Sequence, residues 1–234
     1  ARSIDHELKI SGEEFVYLDI THKDPKEVIN HFPNIYQKCL SVGIDLTKDM
    51  IPVVPAAHYC CGGVKVNLNG ESSIRHLYAL GETSSTGLHG GNRLASNSLM
   101  EAAVYADVAA QHAISLLNTI ELQRNIPAWD YEGTAIPEEM ALITQNYKEM
   151  QLIMSNYVGI VRSNLRLERA KRRLEIIFKE TEELYLKSTL SQHLCELRNM
   201  IAVGYLIIKQ AEAMHESVGL HYSIDYPAKP VNME

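Results

Sequence analysis

The chain has 234 residues, of which 46% are apolar, enough for one large domain or two small ones around a packed core. Its net charge of −7 comes from interspersed acidic and basic residues, which excludes the basic face of a nucleic-acid-binding protein and the polybasic run of a membrane-surface protein. The apolar stretches all end before the roughly 18 residues of a spanning helix, and the four cysteines lack zinc-site spacing, so we expect a soluble protein of the reducing cytoplasm without a metal.

The first part of the chain is predicted to combine short helices with one strand. Residues 3–10 have a helical pattern, although no capping residue precedes them, and residues 15–20 are rich in the β-branched and aromatic side chains typical of a strand. Residues 24–42 again favour helix, but prolines interrupt this stretch.

The next part is predicted to be mainly β-structure. Segments 51–56 and 62–68 have strand-like composition, and the apolar run 76–82 has the pattern of a buried strand. Between the last two lies the pair Asn69 and Gly70, which is typical of a tight hairpin turn.

A glycine-rich loop, residues 87–97, then leads into a predicted helix. Ser98 and Glu101 match the S-x-x-E capping box, so the helix should begin at Ser98 and run to about Leu117. One face of this helix consists of small residues suited to close packing on a sheet: Ala102, Ala106, Ala109, Ala110 and Ala113.

The loop has the features of an anion-binding site. Its glycines let a ligand approach the backbone, and the helix presents unpaired N–H groups and the positive end of its dipole. Arg93 is always charged and can bind a carboxylate or phosphate through two parallel hydrogen bonds. A glycine-rich turn that only caps the helix is the alternative, because such motifs often occur without a ligand.

Three further polar residues lie near this loop or where strands are predicted to end. Glu82 ends an apolar run, where a carboxylate can bind a ligand hydroxyl, and His58 precedes a glycine pair. A single histidine is more often structural than functional, so His58 becomes a candidate only together with the other segments. His89 either lines the same cavity or braces the backbone.

The rest of the chain is predicted to be a linker followed by helices. Residues 119–136 contain Pro127 and Gly133 and have the composition of an interdomain linker. Apolar residues then recur at spacings of three and four in three segments, which predicts three helices packed as an antiparallel bundle. From Gly219 onward, Pro227 and Pro230 predict an extended strap.

Several motifs together resemble the succinate dehydrogenase and fumarate reductase flavoprotein family. They include PVVPAAHYCCGGV, YALGETSSTGLHGGNRLASNSLMEA and, in the helical part, YVGIVRSNLRLERAKRRL. The succinate and fumarate enzymes usually read NRL-Gly-x-NSL, whereas this chain has Ala95 and Ser96 at that point, which resembles the L-aspartate oxidase branch. The resemblance covers nearly the whole chain.

The resemblance implies a cofactor and a substrate. In the family, the residue matching Glu82 holds the ribityl chain of FAD, and the residues matching Ser98 and Leu99 bond the flavin's pyrimidine edge through main-chain groups. His58 and Arg93 match residues that bind a dicarboxylate substrate. The implied reaction is oxidation of L-aspartate to iminoaspartate in NAD biosynthesis, with oxygen or fumarate as electron acceptor.

The chain also lacks two features of the family. The Gly-x-Gly-x-x-Gly motif that binds the ADP half of FAD does not occur in it. The family's catalytic arginine precedes the segment that ARSIDHE resembles, so we expect it upstream of Ala1, and no catalytic residue within these 234 residues.

We therefore expect a C-terminal portion of a longer protein, with an α+β fold followed by an all-α bundle. The expected parts are the end of the capping domain (1–48), the return half of the FAD domain (49–118), the linker, and the three-helix bundle with its tail (137–234).

Two other functions remain open at this point. A succinate dehydrogenase or fumarate reductase flavoprotein subunit also binds four-carbon dicarboxylates, so His58 and Arg93 do not separate it from an aspartate oxidase. A non-catalytic role would use the helical bundle to dock a partner such as quinolinate synthase, the next enzyme of the pathway. Against that role, the charged segment 168–173 is typical of an ordinary solvated helix face.

Overall fold

The computed structural model describes residues 1–121, 123–136 and 140–227. The chain has mixed α and β structure and forms two compact units, residues 1–57 and residues 58 onward. Among the described residues, no helix has the length and apolar character needed to cross a membrane. In the same residues, no three histidine, cysteine, aspartate or glutamate side chains converge in a way that could hold a metal ion.

The first unit contains three helices and a two-stranded antiparallel sheet. Its elements are α1 (Arg2–Ser11), β1 (Val16–Leu18), α2 (Pro25–His31), α3 (Pro33–Leu40) and β2 (Ile51–Val53). Val16 pairs with Val53 and Leu18 with Ile51. Proline opens both α2 and α3, where its missing N–H costs no hydrogen bond, and this explains why the predicted helical stretch is divided.

Ala1 occupies the N-cap position of α1. Its methyl side chain cannot cap the helix, and its carbonyl accepts the Asp5 N–H at 2.9 Å. Asp5 places a negative charge in the first turn, where the helix dipole favours it. The helix thus begins directly after Ala1, without a side-chain cap, as the sequence predicts.

The second unit begins with only a small sheet. Strand β3 (Val64–Lys65) pairs in parallel with β4 (Ser84–Ser85), so the strand predicted over 62–68 is confirmed at two residues. The turn predicted at Asn69 and Gly70 is confirmed, because the Gly70 N–H donates to the Asn67 carbonyl with Gly70 at a φ of 74°.

The strand predicted over 76–82 is wrong. His76 has a φ of 65°, which an extended strand does not allow, and Gly81 begins a 3-10 turn that ends at Thr83. Between them only Tyr78 pairs, in an isolated bridge with Glu71. Apolar composition identified a packed segment, with Ala79 buried, but not its backbone conformation.

Helix α4 (Ser98–Leu116) begins where predicted, but the predicted capping box is wrong. Asn97 occupies the N-cap position and makes no side-chain cap hydrogen bond, while Glu101 is buried and bonds to the preceding loop instead. The predicted alanine face packs only in part, and on turns rather than on a sheet: Ala109 lies beside Gly70 and Ala102 beside Gly81, whereas Ala106 and Ala110 are exposed.

Three helices, each predicted from apolar spacing, pack against one another in the remainder of the chain: α5 (Met140–Tyr157), α6 (Asn164–Lys187) and α7 (Gln192–Ala213). Ser163 and Ser191 cap α6 and α7 by accepting hydrogen bonds from backbone amides. Their shared core includes Met150, Leu167, Ala170, Leu174, Leu194, Leu197, Ile201 and Ile208. Residues 137–139, where the bundle is predicted to start, lie outside the described residues.

A segment that we call the strap, residues 217–226, lies along the connection between α5 and α6. The Arg162 N–H donates to the Tyr222 carbonyl at 2.9 Å, and the Ile224 N–H donates to the Arg162 carbonyl at 3.0 Å. The Arg162 guanidinium lies 2.8 Å from Nδ1 of His221, and burial together with this cation lowers the pKa of His221. Pro230, included in the sequence-based prediction, lies outside the described residues.

Candidate functional site

The loop between β4 and α4 turns sharply at its glycines. The Gly90 N–H donates to the Gly87 carbonyl, and the Asn92 N–H donates to the His89 carbonyl, each at 3.2 Å. Gly87 has a φ of 91° and Gly90 a φ of 54°, conformations that most side chains disfavour. The loop therefore consists of two consecutive turns, with His89 in both of them and Arg93 directly after the second.

A buried group of three polar side chains fixes this loop to α4. The carboxylate of Glu101, with 2% of its side chain exposed, accepts a hydrogen bond from the Thr86 hydroxyl and lies 3.0 Å from Nε2 of His89. Nδ1 of His89 accepts the Leu94 N–H at 3.2 Å, so the ring proton is on Nε2, which lies near Glu101 but has no aligned hydrogen-bond acceptor among the described residues. His89 is 7% exposed, which supports the bracing role rather than a ligand-facing one.

Arg93 lies against an aromatic side chain at the edge of this group. Its guanidinium carbon is 5.6 Å from the ring centre of Tyr59, and that ring meets the His89 ring edge to face at 5.1 Å. Nε of Arg93 is buried and has no hydrogen-bond partner among the described residues, while the Arg93 backbone N–H bonds to the Cys61 thiol. Because Nε is itself buried, only the remaining guanidinium N–H groups could meet an anionic ligand.

The other predicted substrate residue, His58, is adjacent in the chain to Tyr59. His58 is exposed and forms no hydrogen bond within the described part of the chain. The segment that contains His58 therefore lies near Arg93, because the ring of the next residue, Tyr59, contacts the Arg93 guanidinium. A cavity shared by His58 and Arg93 remains a prediction.

The segment that contains Gly62 and Gly63 is held against the segment that contains Gly81 and Glu82. Its Oε1 accepts the Cys60 N–H at 2.9 Å. Any side chain at Gly63 would overlap the Thr83 carbonyl, so only glycine allows the backbones to approach this closely. Glu82 is exposed, and its neighbour Gly81 contacts Ala102 on the second turn of α4.

The predicted flavin-contacting residues Ser98 and Leu99 form the first turn of α4. Amides in a first turn have no intrahelical acceptor, and the positive end of the helix dipole lies there. The Leu99 side chain is 85% exposed, so the surface around these amides is open. The site therefore offers N–H donors, an exposed carboxylate and a guanidinium.

The groups at this loop are of the kind that can bind an anion. The guanidinium of Arg93 lies over the Tyr59 ring, and the ring of His89 is turned toward Glu101. The prediction that the catalytic arginine lies upstream of Ala1 concerns a residue outside the chain and stays a prediction. Ala1 itself is exposed and has no side-chain group that could serve in its place.

The cavities of the described residues do not enclose this site. A cavity of about 30 Å³ lies between Tyr59, His89 and Glu101, enough for about one water molecule. A second cavity, an open groove of about 790 Å³, is lined by α5 residues and Arg173 and contains none of the predicted site residues. A ligand at Arg93 would thus occupy an open surface in this chain.

Two family descriptions match separate parts of the sequence. Residues 1–99 match the family described as "FAD binding domain", and residues 147–230 match the family described as "Fumarate reductase flavoprotein C-term". The first match includes the segments of His58, Glu82 and Arg93. The second covers most of the three helices and the strap.

Curated relatives with sequences similar to most of the chain are L-aspartate oxidases. The protein from Yersinia pestis is 50% identical and the one from Vibrio cholerae 47% identical, each over 97% of this chain. The match covers 43% and 42% of those two proteins, so the chain spans about two fifths of their length.

Solved structures with a similar fold belong to related enzymes. Sdh1 of Mycobacterium smegmatis in complex with UQ1 has a TM-score of 0.78 at 26% identity, covering 99% of this chain and 42% of that one. Quinol-fumarate reductase with menaquinol molecules has a TM-score of 0.75 at 28% identity, covering 93% and 41%.

Proposed function

This chain belongs to the flavoprotein family of the L-aspartate oxidases, succinate dehydrogenases and fumarate reductases, and on that premise we propose that it is the C-terminal part of an L-aspartate oxidase. The proposed reaction is the FAD-dependent oxidation of L-aspartate to iminoaspartate in NAD biosynthesis, in the cytoplasm. The observation that carries the proposal is the glycine-rich loop, which the buried side chains of His89 and Glu101 hold to α4 and which carries Arg93 next to the Tyr59 ring.

The residues present fit FAD. Glu82 has an exposed carboxylate that can accept hydrogen bonds from ribityl hydroxyls, and the open first turn of α4 offers the amides of Ser98 and Leu99 to the pyrimidine edge. When bound, FAD would supply the hydride acceptor of the oxidation. The helix dipole at Ser98 would favour negative charge at that edge.

His58 and Arg93 would hold the substrate. L-aspartate has two carboxylates, and fixing both of them orients the Cα–H bond for hydride removal. Arg93 can bind one carboxylate through two parallel hydrogen bonds, and the Tyr59 ring limits the directions its guanidinium can take. His58 would bind the second carboxylate, and an arginine upstream of Ala1 would act as the catalytic residue.

The proposal includes a domain assignment. Residues 1–48 would complete a capping domain, residues 49–118 the FAD domain, and residues 137–234 a helical domain after the linker 119–136. The matches to an FAD-binding family at 1–99 and to a C-terminal family at 147–230 support an FAD-binding part followed by a helical part, and the boundary at residue 48 remains a prediction. Quinolinate synthase, which would use the unstable iminoaspartate, remains a proposed partner, and fumarate a proposed electron acceptor.

A succinate dehydrogenase or fumarate reductase subunit is the second candidate, because solved structures of those enzymes share the fold. Identity favours the aspartate oxidase: 47–50% to the bacterial oxidases against 25–28% to those structures. The full-length protein is expected to release ammonia from L-aspartate while reducing its flavin. Flavin reduction by succinate, with no reaction of aspartate, would favour the second candidate instead.

The isolated chain of 234 residues is expected to bind no FAD and to form no hydrogen peroxide from L-aspartate. The part of the chain proposed to bind FAD has a sheet with only two residues in each strand. Large apolar side chains there are exposed, Leu68 by 84% and Leu99 by 85%. The absorbance of the purified chain after incubation with FAD and desalting measures this. A retained flavin band or peroxide formation would contradict it.

A further inference from the structure

The strap touches the glycine-rich loop two residues before Arg93. The Leu220 N–H donates to the Gly91 carbonyl at 2.8 Å. Gly219 has a φ of 58°, and a Cβ atom added there would overlap the carbonyl group of Gly91, backbone that cannot rotate away. The Val218 side chain lies on the other side of the same contact, close to Gly91. The two backbones therefore meet at a distance that only glycine at position 219 permits.

The strap is itself firmly attached to the helical part of the chain. Besides the two backbone hydrogen bonds to Arg162, the Asn164 N–H at the start of α6 donates to the Asp225 carboxylate at 2.6 Å. The Ser217 hydroxyl donates to the Tyr226 carbonyl at 2.6 Å and accepts the Ser223 N–H at 3.0 Å, which closes the strap on itself. Movement of the strap relative to α6 would break several of these bonds together.

From these contacts we propose that the strap is a positioning element for Arg93, with Gly219 as its essential residue. The inference rests on the proposed role of Arg93 in binding a dicarboxylate. Two attachments then hold the loop: the Glu101 carboxylate, through Thr86 and His89, and the strap, through Gly91. With the strap displaced, Arg93 keeps its charge but loses its fixed place, so a dicarboxylate binds less well while the chemistry after binding is little changed.

The test is Gly219→Ala in the full-length protein, with Gly133→Ala as matched control. Gly133 also has a positive φ, of 81°, but a Cβ there meets no atom within 4 Å, so both variants carry similar backbone strain and only one collides. We expect Gly219→Ala to raise KM for L-aspartate about tenfold while kcat changes less than about twofold. Gly133→Ala is expected to leave both unchanged.

Hydrogen exchange gives a readout that needs no substrate. The amides of residues 88–94 are expected to exchange faster in Gly219→Ala than in Gly133→Ala, with the amides of α7 unaffected. Equal exchange in the two variants, or a loss confined to kcat, would overturn the inference. If the wild-type protein does not act on L-aspartate, the proposed function fails while the exchange comparison still decides the role of the strap.

A milder variant covers the case in which Gly219→Ala does not fold. Ser217→Ala removes the hydrogen bonds of the Ser217 hydroxyl to Ser223 and Tyr226 but introduces no collision. It is expected to give the same pattern, a rise in KM and faster exchange at residues 88–94, with smaller size. An unchanged KM together with unchanged loop exchange would overturn the inference here as well.

Discussion

Replacing Arg93 by leucine in the full-length protein is expected to lower kcat/KM for L-aspartate about a hundredfold or more. Losing one partner of a two-hydrogen-bond ion pair in a partly desolvated site typically costs about 2–5 kcal/mol. Nε of Arg93 is buried and has no partner among the described residues, so leucine should fit without removing a structural hydrogen bond. Steady-state kinetics measure the loss, and the flavin content should remain that of the wild type.

Two further variants separate charge from geometry. Arg93→Lys keeps the positive charge but not the planar fork, so its kcat/KM should lie between those of wild type and Arg93→Leu. Arg75 is exposed in the same unit, and Arg75→Leu controls for the loss of any one positive charge. If Arg93→Leu behaves like Arg75→Leu, Arg93 does not bind the substrate.

Replacing Glu101 by alanine is expected to lower the free energy of unfolding by about 2–4 kcal/mol. The change removes the acceptor of the partly buried Thr86 hydroxyl and the carboxylate beside the buried His89 ring. A capping-box glutamate would cost only about 1 kcal/mol, so the size of the loss separates the two roles. Denaturant unfolding followed by circular dichroism measures it.

Controls for Glu101 follow from its two contacts. Glu101→Gln keeps one acceptor oxygen and should lose less stability than alanine does. Glu183 is exposed on α6, and Glu183→Ala should change the unfolding free energy by no more than about 0.5 kcal/mol. A loss in Glu101→Ala as small as that of Glu183→Ala would show that the buried group does not hold the loop.

The sequence was sufficient for the helices because their signal is periodic and local. Apolar residues spaced three and four apart predicted all three C-terminal helices, and the dipeptide at Asn69 predicted the turn there. The run 76–82 failed because apolar content does not specify φ, and His76 adopts a positive value that an apolar count cannot detect.

The contacts within the candidate site were not predictable from the sequence, and the roles of its residues stay predictions. Glu101 fits the spacing of a capping box equally well whether it turns toward the helix end or toward the loop. One signal pointed to the loop: Glu101 lies on the same helix stripe as Tyr105, Val108 and His112, all of them partly buried. The contact between Gly91 and Gly219 has no local pattern, since it joins residues more than a hundred positions apart.

That contact also has a consequence for biosynthesis. Residue 91 leaves the ribosome roughly ten seconds before residue 220, at typical rates of translation. During that interval the segment around Gly91 has its contacts to Glu101, Tyr59 and Cys61 but not its contact to the strap. The contact that we propose to position Arg93 is thus among the last that a newly made molecule can form.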